Sequence, residues 1–331
     1  MGNYKKLDEK LFTTAKCIKR FPDTILSYKD VPYRSALTFN AAVIKEKDRY
    51  TMIFRNDAGD YENKILDPIT NLGLAFSKDG IKWQVEDRPV WAIHDDEIHR
   101  IYDPRLTIIE GRYYLCFAAD TMHGIRGGIA VSDDLKNFEI LSLSTPDNRN
   151  MVLFSEKING KYVRLERPMP VYGHDKFDIW LSESPDMVHW GNSKLVLGAD
   201  NIPYCNDKIG PAAPPIKTEK GWLTLFHSVD IDENRGKNGW EPIWQKRYVI
   251  GIMLLDLNDP SKIIGMSKLP LMVPETDIEL KDGYRNNALF PCANILEEDG
   301  TVRIYYSAGD AVVRMATAHV DELINLCSEP K

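Results

Sequence analysis

The sequence has few cysteines and no long hydrophobic run. Its five cysteines are scattered over 331 residues, and no two of them stand in a C-x-x-C spacing. This pattern argues against a disulfide framework or a structural zinc site and is typical of reduced thiols in the cytoplasm. No stretch approaches the length of a membrane span, and the charged opening MGNYKKLDEKLFTTAK lacks the apolar core of a signal peptide. We therefore expect a cytoplasmic protein with no membrane partner.

An excess of positive charge is also missing. The net charge of −7 argues against a general nucleic-acid partner, which would require a basic face. A small anionic ligand is still compatible with this charge, because a local cationic pocket fits within an acidic protein. Helix-period patterns are scarce as well, and only KKLDEKLF and HVDELINLC, near the two ends, are candidates.

What the sequence does contain is a repeat. A hairpin pattern, in which a polar turn joins an apolar strand to a strand rich in β-branched and aromatic residues, recurs five times. The five copies are FNAAVIKEKDRYTMIFRND, YDPRLTIIEGRYYLCFAAD, NMVLFSEKINGKYVRLERP, IGPAAPPIKTEKGWLTLFHSVD and LFPCANILEEDGTVRIYYSAGD. Each is followed by a segment that predicts a third strand, a turn and a fourth strand or short turn; the last such segment is AVVRMATAHVDELIN.

Five units of four strands predict an all-β fold, a five-bladed β-propeller with four-stranded blades. We expect residues 1–331 to form a single domain with short terminal extensions. The tryptophans that end SKDGIKW (77–83) and SPDMVHW (184–190) are predicted to pack between blades.

Aligning the five hairpins on one aromatic position indicates which side chains lie together. The aligned positions are Tyr50, Tyr113, Tyr162, Trp222 and Val302. Ten residues earlier stand Asn40, Asp103, Val152, Ala212 and Cys292, and five residues later stand Arg55, Ala118, Arg167, His227 and Ser307. Matched strand ends converge around a propeller axis. We therefore expect one pocket shared by Asn40, Arg55, Asp103, Arg167, His227 and Asp310.

Asp103 is the carboxylate among the matched strand ends of this set, in the motif YDPR. Pro104 is expected to restrict the backbone of Asp103 to extended conformations, and Arg105 to form a structural ion pair. Each residue also has a purely structural interpretation. Asp103 could cap a turn, Arg55 and Arg167 could form surface ion pairs, and His227 could be an ordinary buried histidine. Their shared register favours a site, because unrelated surface residues have no reason to share it.

One carboxylic acid among several cations indicates a particular chemistry. A carboxylic acid can protonate a leaving sugar oxygen, and most glycosidases add a second carboxylate. Inorganic phosphate is already an anion, so as a nucleophile it needs arginine, lysine and histidine side chains to bind it instead of a base. The predicted pocket therefore favours phosphorolysis over hydrolysis.

The ordered motifs resemble those of glycoside hydrolase family 130, the inverting β-mannoside phosphorylases. They include YDPR (102–105), NRNMVLFSEKINGKY (148–162), ERP (166–168), DKIG (207–210), GWLTLFHSVD (221–230) and GDAVV (309–313). The resemblance implies that Asp103 is the general acid. It also implies two binding sets: Arg149, Arg167, Lys208 and His227 for phosphate, and Asn40, Arg55, Asp57 and Asp310 for the mannosyl unit.

By the same resemblance, phosphate attacks the anomeric carbon of a terminal β-mannosyl unit and gives α-mannose 1-phosphate. The partners are then a β-mannoside oligosaccharide and inorganic phosphate, with no metal and no organic cofactor. A β-1,2 linkage is favoured over β-1,4, and a homo-oligomer is left open. Two alternatives remain at this point. One is a β-mannosidase of the same fold, with Glu166, Asp230 or Glu241 as candidate bases, and the other is a propeller that only binds glycans.

Overall fold

The strands of the protein run almost the whole length of the chain. The structure, a computed structural model, describes residues 4–172, 176–235, 240 and 244–328. In chain order its strands are β1 (Lys19–Arg20), β2 (Leu37–Glu46), β3 (Arg49–Asp60), β4 (Ile65–Ser77), β5 (Gln84–Val85), β6 (Ile98–Ile109), β7 (Arg112–Thr121), β8 (Gly124–Ser132), β9 (Glu139–Leu143), β10 (Asn148–Leu153), β11 (Tyr162–Pro168), β12 (Ile179–Ser184), β13 (Gly191–Leu197), β14 (Lys208–Pro211), β15 (Ile216–Thr218), β16 (Gly221–Ile231), β17 (Lys246–Leu255), β18 (Ile263–Met266), β19 (Leu289–Leu296), β20 (Thr301–Ala308) and β21 (Val312–His319). The helices are α1 (Asp277–Leu280) and α2 (Val320–Cys327).

These strands form five antiparallel sheets, which confirms the five-bladed propeller. Blade 1 is β2 to β5, blade 2 is β6 to β9, blade 3 is β10 to β13 and blade 4 is β14 to β18. Blade 5 has the order β19, β20, β21 and then β1. In blade 4 the first strand is split, because β14 and β15 both pair with β16 on either side of the segment 212–215. The first strands of neighbouring blades contact one another, as β2 does with β6 and β19, so they form the inner wall of the propeller.

Blade 5 is completed by the start of the chain. The fourth strand, expected within AVVRMATAHVDELIN, is instead β1, which pairs with the end of β21. The residues after β21 form α2, so the helix predicted at HVDELINLC is confirmed. The other candidate, KKLDEKLF, contains only the short 3-10 turn Glu9–Leu11. A strand taken from the opposite terminus leaves no local pattern, which is why the sequence did not indicate it.

The hairpin turns explain where the strands reverse. Glu110 and Gly111 both have positive φ, 52° and 79°, and so do Asn159 and Gly160, at 52° and 78°. Two successive residues of positive φ are typical of the two-residue turns whose twist matches that of paired strands. The outer turns of blades 1 to 3 share another feature, a serine hydroxyl that accepts a hydrogen bond from the backbone N–H three residues later. In blade 1 Ser77 accepts from Gly80 at 2.8 Å.

The two tryptophans of these outer turns pack as predicted. Trp83 of blade 1 meets Tyr305 of blade 5 edge-on, with ring centroids 6.3 Å apart. Trp190 of blade 3 packs on a buried cluster that includes Tyr114 and Cys116 of blade 2. Each ring therefore buries apolar surface at an interface between blades. Among the described helices, neither length nor hydropathy is sufficient for a membrane span.

The closure of blade 5 is held by Arg20 of β1. Its guanidinium group donates to the carbonyl oxygen of Val273 at 2.6 Å and lies 3.4 Å from the carboxylate of Glu279, whose side chain is fully buried. Removal of one partner from a buried ion pair leaves a charge without compensation. We expect Arg20→Ala to lower the free energy of unfolding by about 2 kcal/mol, since Glu279 keeps its bond from Tyr306.

Denaturant unfolding of the purified protein measures this loss. Lys19→Ala is the matched control, because Lys19 is the exposed neighbour on the same strand. Equal stability of the two variants would show that Arg20 does not hold the closure.

Candidate active site

One polar pocket opens near the inner ends of the strands. Its walls contain six of the residues predicted from the sequence, Asn40, Arg55, Asp103, Arg149, Arg167 and Asp310. The other three predicted residues, Asp57, Lys208 and His227, are buried just behind this lining. The structure thus brings the predicted set together, in two layers.

A β-bulge repeated in three blades aims the first residues of the pocket. In blade 1 the pairing of β2 with β3 shifts between Phe39 and Ala42, and equivalent shifts occur after Tyr102 and after Arg149. The bulged residues Asn40, Asp103 and Asn150 have φ of 48°, 56° and 58°. Asparagine and aspartate tolerate this left-handed backbone better than other non-glycine residues. The bulge therefore explains why these positions carry Asn or Asp.

The alignment of first strands was wrong for blade 3. Asn150, and not Val152, is the equivalent of Asn40 and Asp103, because the hairpin of blade 3 is two residues longer. In blades 4 and 5 the first strand slips by one residue, so that Pro211 and Pro291 take the places assigned to Ala212 and Cys292. The second strands keep the predicted register, with Arg55 and Arg167 opposite Phe39 and Arg149.

Asp103 lies in a half-buried, hydrogen-bonded position on the pocket wall. It accepts from the Asn40 amide at 2.7 Å and from Arg55 Nη1 at 3.2 Å. Burial alone would raise the pKa of Asp103, but the guanidinium groups of Arg55, Arg105 and Arg149 outweigh it and hold the pKa below its ordinary value. Without another anion in the pocket, Asp103 is therefore a carboxylate.

The two residues that follow Asp103 act differently from what was expected. Pro104 does not hold Asp103 in an extended conformation, since φ of Asp103 is 56°. Arg105 is not hydrogen-bonded to Asp103. Its guanidinium group donates to the carbonyl oxygens of Pro104 and Ala212, which ties the bulge of blade 2 to blade 4. Although Arg105 makes no hydrogen bond to Asp103, its positive charge lowers the pKa of Asp103.

Arg55 is held between two carboxylates. Its Nε and Nη2 atoms donate to the two carboxylate oxygens of Asp57, at 3.0 and 2.8 Å, while Nη1 reaches Asp103. Asp57 also accepts from the hydroxyl of Thr70 at 2.8 Å. Asp57 thus lies behind Arg55 and orients it, rather than lining the pocket.

Asp310 is the second carboxylate of the lining. It follows β20 in a tight turn with φ of 48°, and its Oδ2 lies 3.2 Å from Nη1 of Arg285. Burial raises the pKa of Asp310, with a further contribution from Asp103, although Arg285 and Arg55 oppose the rise. The two carboxylates of the pocket therefore have pKa values shifted in opposite directions.

Arg149 and Arg167 differ from Arg55 in having no carboxylate partner. Within the described part of the chain, no aspartate or glutamate oxygen lies within 4 Å of either guanidinium group. Arg149 Nη1 donates to the Tyr102 hydroxyl at 3.4 Å, and Arg167 Nη1 lies 3.0 Å from His227 Nε2. Burial, together with the neighbouring charge of Arg149, lowers the pKa of Arg167 to about 9. The pocket thus holds two neighbouring positive charges that an anion would stabilise.

His227 is a neutral partner of these cations. Its side chain is fully buried, and burial, followed by Arg167 and Lys208, lowers its pKa well below the ordinary value. A guanidinium group only donates, so Nε2 of His227 must accept from Arg167 and the ring proton is on Nδ1. Nδ1 is buried and has no hydrogen-bond partner among the described atoms.

Lys208, at the start of β14, adds a third cationic group. Burial lowers its pKa well below the ordinary value, and Arg167 and Lys246 lower it further. Its nearest described carboxylate is Asp207 at 3.7 Å, which also pairs with Lys246 at 3.0 Å. The positive form of Lys208 is therefore destabilised until an anion enters.

Seven residues of the lining were not predicted from the sequence: Tyr102, Asn150, Tyr248, Arg285, Ala288, Leu289 and Phe290. Asn150 has a signal in the sequence, because counting back two more residues in the longer hairpin of blade 3 leads to the bulged position. Tyr102 and Phe290 occupy the place of Phe39 in their blades, because each pairs with the second-strand position that Arg55 has in blade 1. Tyr248 is on a third strand and Arg285 is in the segment before β19, so neither belongs to the repeated positions.

Comparisons with known proteins agree with this geometry. Residues 10–329 match the family model of glycoside hydrolase family 130, described as beta-1,4-mannooligosaccharide phosphorylase. The chain is 33% identical to the 1,2-beta-oligomannan phosphorylase of Thermoanaerobacter sp. (strain X514), over 92% of this chain and 98% of the relative. It is also 33% identical to the beta-1,4-mannooligosaccharide phosphorylase of Ruminococcus albus, over 87% and 84%.

A solved structure shares the fold. The beta-1,2-mannobiose phosphorylase of Listeria innocua, in complex with beta-1,2-mannobiose, superimposes with a TM-score of 0.81 at 25% identity. The match covers 95% of this chain and 99% of that one. The predicted resemblance is thus confirmed over nearly the whole sequence. The chain belongs to glycoside hydrolase family 130.

Proposed function

We propose that this protein is an inverting phosphorylase of terminal β-mannosides, with inorganic phosphate as its co-substrate. The bond between the mannosyl anomeric carbon and the leaving sugar oxygen breaks, and a bond from that carbon to a phosphate oxygen forms. Asp103 gives its proton to the leaving oxygen, and the product is α-mannose 1-phosphate. Asn40, Arg55 and Asp310 hold the mannosyl unit, with Asp57 fixing Arg55 from behind.

The observation that carries this proposal is the pair of guanidinium groups without carboxylates. Arg149 and Arg167 line the pocket, and no acidic side chain in the described residues forms a salt bridge with either of them. Burying cations in this way is costly, so the arrangement favours a ligand that brings negative charge. Lys208 lies close behind and extends the cationic cradle, while the neutral His227 holds Arg167 in place. A phosphate dianion provides both the charge and the acceptor oxygens for such donors.

Bound phosphate would also change the protonation of Asp103, the proposed acid. In the pocket without an anion, three guanidinium groups lower the pKa of Asp103, so this side chain has no proton to give. A bound dianion offsets those charges and raises the pKa of Asp103 again. We therefore propose that phosphate binding favours the protonated form of Asp103, and that the acid becomes competent only when the nucleophile is present.

The hydrolase alternative lacks a free base in the described residues. Glu166 is buried and bound to Arg164 and Asn148, each at 2.8 Å. Asp230 is bound to Arg235 at 2.6 Å and to Arg247 at 2.9 Å. Glu241 lies outside the described residues. Asp310 is ion-paired with Arg285, and an inverting hydrolase needs a carboxylate free to activate water.

The relatives guide the choice of linkage. The Thermoanaerobacter relative described above is named for β-1,2-linked mannans, and the Ruminococcus one for β-1,4-linked mannooligosaccharides. We propose β-1,2-linked mannobiose or mannooligosaccharide as the preferred substrate, with β-1,4 as the second candidate. We propose that the reaction uses no metal and no organic cofactor and that the protein is cytoplasmic. The proposal is compatible with both a monomer and a homo-oligomer.

The reaction itself can be tested directly. Incubation of the purified protein with β-1,2- and β-1,4-mannobiose, each with and without phosphate, should release mannose 1-phosphate only when phosphate is present. Phosphorus NMR measures the product and its anomeric configuration. Release of free mannose at the same rate without phosphate would support the hydrolase, and no cleavage at all would support a glycan-binding propeller.

Asp103→Asn is the matched variant for this assay, because asparagine keeps the size of the side chain and its bond with Asn40. Loss of general acid catalysis should lower turnover by about 10²- to 10⁴-fold. Turnover that stays near the wild-type rate would remove Asp103 from the catalytic role.

The affinity of the cationic cradle for an anion should fall as the pH rises. Because burial and neighbouring cations lower the pKa of Lys208, this group loses its proton at pH values well below 10.5 as the pH rises. Sulfate keeps two negative charges across this range, so any change in its binding with pH comes from the protein and not from the ligand. Its inhibition constant against phosphate should rise with pH, by up to about tenfold per pH unit. Lys208→Met should flatten this dependence, and an unchanged slope in that variant would exclude Lys208 from the cradle.

A further inference from the structure

Asp120 is a carboxylate outside the pocket that touches one of its walls. It lies on β7, opposite Arg100 of β6, with its side chain 26% exposed. Its Oδ2 accepts from Arg100 Nε at 2.6 Å, and its Oδ1 accepts from the hydroxyl of Tyr102 at 2.7 Å. Tyr102 itself lines the pocket, one residue before Asp103.

The bond to Asp120 fixes the direction of the Tyr102 O–H. A phenol has a single proton, and an ionised carboxylate can only accept, so this proton points toward Asp120. Burial, with Asp120 and Asp103 nearby, raises the pKa of Tyr102 to about 12, so the hydroxyl keeps its proton at neutral pH. Toward the pocket, the Tyr102 oxygen therefore presents lone pairs only.

Arg149 depends on those lone pairs. Its Nη1 lies 3.4 Å from the Tyr102 oxygen, and this is the only side-chain hydrogen bond that Arg149 makes within the described residues. Its buried Nε has no described partner, and no described carboxylate forms a salt bridge with it. Arg55, by contrast, is held by Asp57 through two bonds. Arg149 has nothing comparable, so the hydroxyl of Tyr102 sets its position.

We propose that Asp120 is a positioning residue for the anion site: by holding the Tyr102 O–H bond away from the pocket, it keeps the Tyr102 oxygen as an acceptor that orients Arg149. This inference rests on the proposed function, because it assumes that Arg149 binds phosphate. Asp120 touches neither substrate and acts through Tyr102. The chain of contacts from Arg100 to Asp120, Tyr102 and Arg149 links the rim of blade 2 to blade 3.

Asp120→Ala tests the proposal through steady-state kinetics with both substrates varied. The KM for phosphate should rise by about tenfold, as expected when a hydrogen bond to a charged group loses its support. The KM for mannobiose at saturating phosphate should stay within about twofold, since Arg55 and Asp57 are untouched. Arg100→Ala is the matched control, because it removes the other partner of Asp120 and leaves the bond to Tyr102, so it should not change the KM for phosphate.

A double-mutant cycle separates positioning from a general structural effect. Tyr102→Phe removes the acceptor, so it should also raise the KM for phosphate, and adding Asp120→Ala in that background should cause no further rise. Additive effects would overturn the proposal, as would a phosphate KM in Asp120→Ala equal to that of the wild type. A melting curve checks that each variant is folded.

The same experiments distinguish this inference from the proposed function. If the wild-type protein makes no mannose 1-phosphate, the proposed function fails and the inference fails with it. If the wild type is active and Asp120→Ala and Arg100→Ala raise the phosphate KM equally, only the positioning role fails, because Asp120 then serves as the partner of a surface ion pair.

Discussion

The guanidinium groups of Arg149 and Arg167, which form no salt bridge with a described carboxylate, are the constraint on which the rest of the site depends. Every other described arginine of the pocket lining has an acidic partner, Asp57 and Asp103 for Arg55 and Asp310 for Arg285. The protein holds the uncompensated pair with neutral groups, a tyrosine oxygen and a histidine nitrogen. Those groups fix geometry without cancelling charge, so the charge remains for a ligand to cancel. Arg149, after Arg55 and Arg105, also lowers the pKa of Asp103, so in the proposed reaction the anion site and the acid are electrostatically linked.

The β-bulge is the second constraint, because it turns ordinary inner strands into pocket walls. At each bulge two residues oppose one on the partner strand, and the first of the two takes a left-handed backbone. This places Asn40, Asp103 and Asn150 at equivalent points of three blades. The propeller therefore provides a ring of equivalent positions, and the residue at each position decides its chemistry: an amide in blades 1 and 3, and a carboxylate in blade 2.

The sequence alone predicted the fold and most of the charged residues that line the pocket, and it failed at a few positions for physical reasons. The strand pattern predicted five blades, and the register of the second strands placed Arg55 and Arg167 correctly. The first strands were harder, because unequal hairpins and bulges change the residue count between them; Val152 was chosen where Asn150 belongs. Pro104 suggested an extended Asp103, but pairing across the bulge overrides that local preference. Tyr248 and Arg285 were missed because their roles come from tertiary contacts that no spacing records, and β1 because its partner strand is at the other end of the chain.

The most direct measurement of the central claim is a crystal structure of the protein grown with phosphate and mannose. The account predicts one phosphate within hydrogen-bonding distance of both Arg149 and Arg167, with the mannose between that phosphate and Asp103. A phosphate bound away from these two guanidinium groups, or a carboxylate from the residues beyond those described filling the space between them, would contradict it.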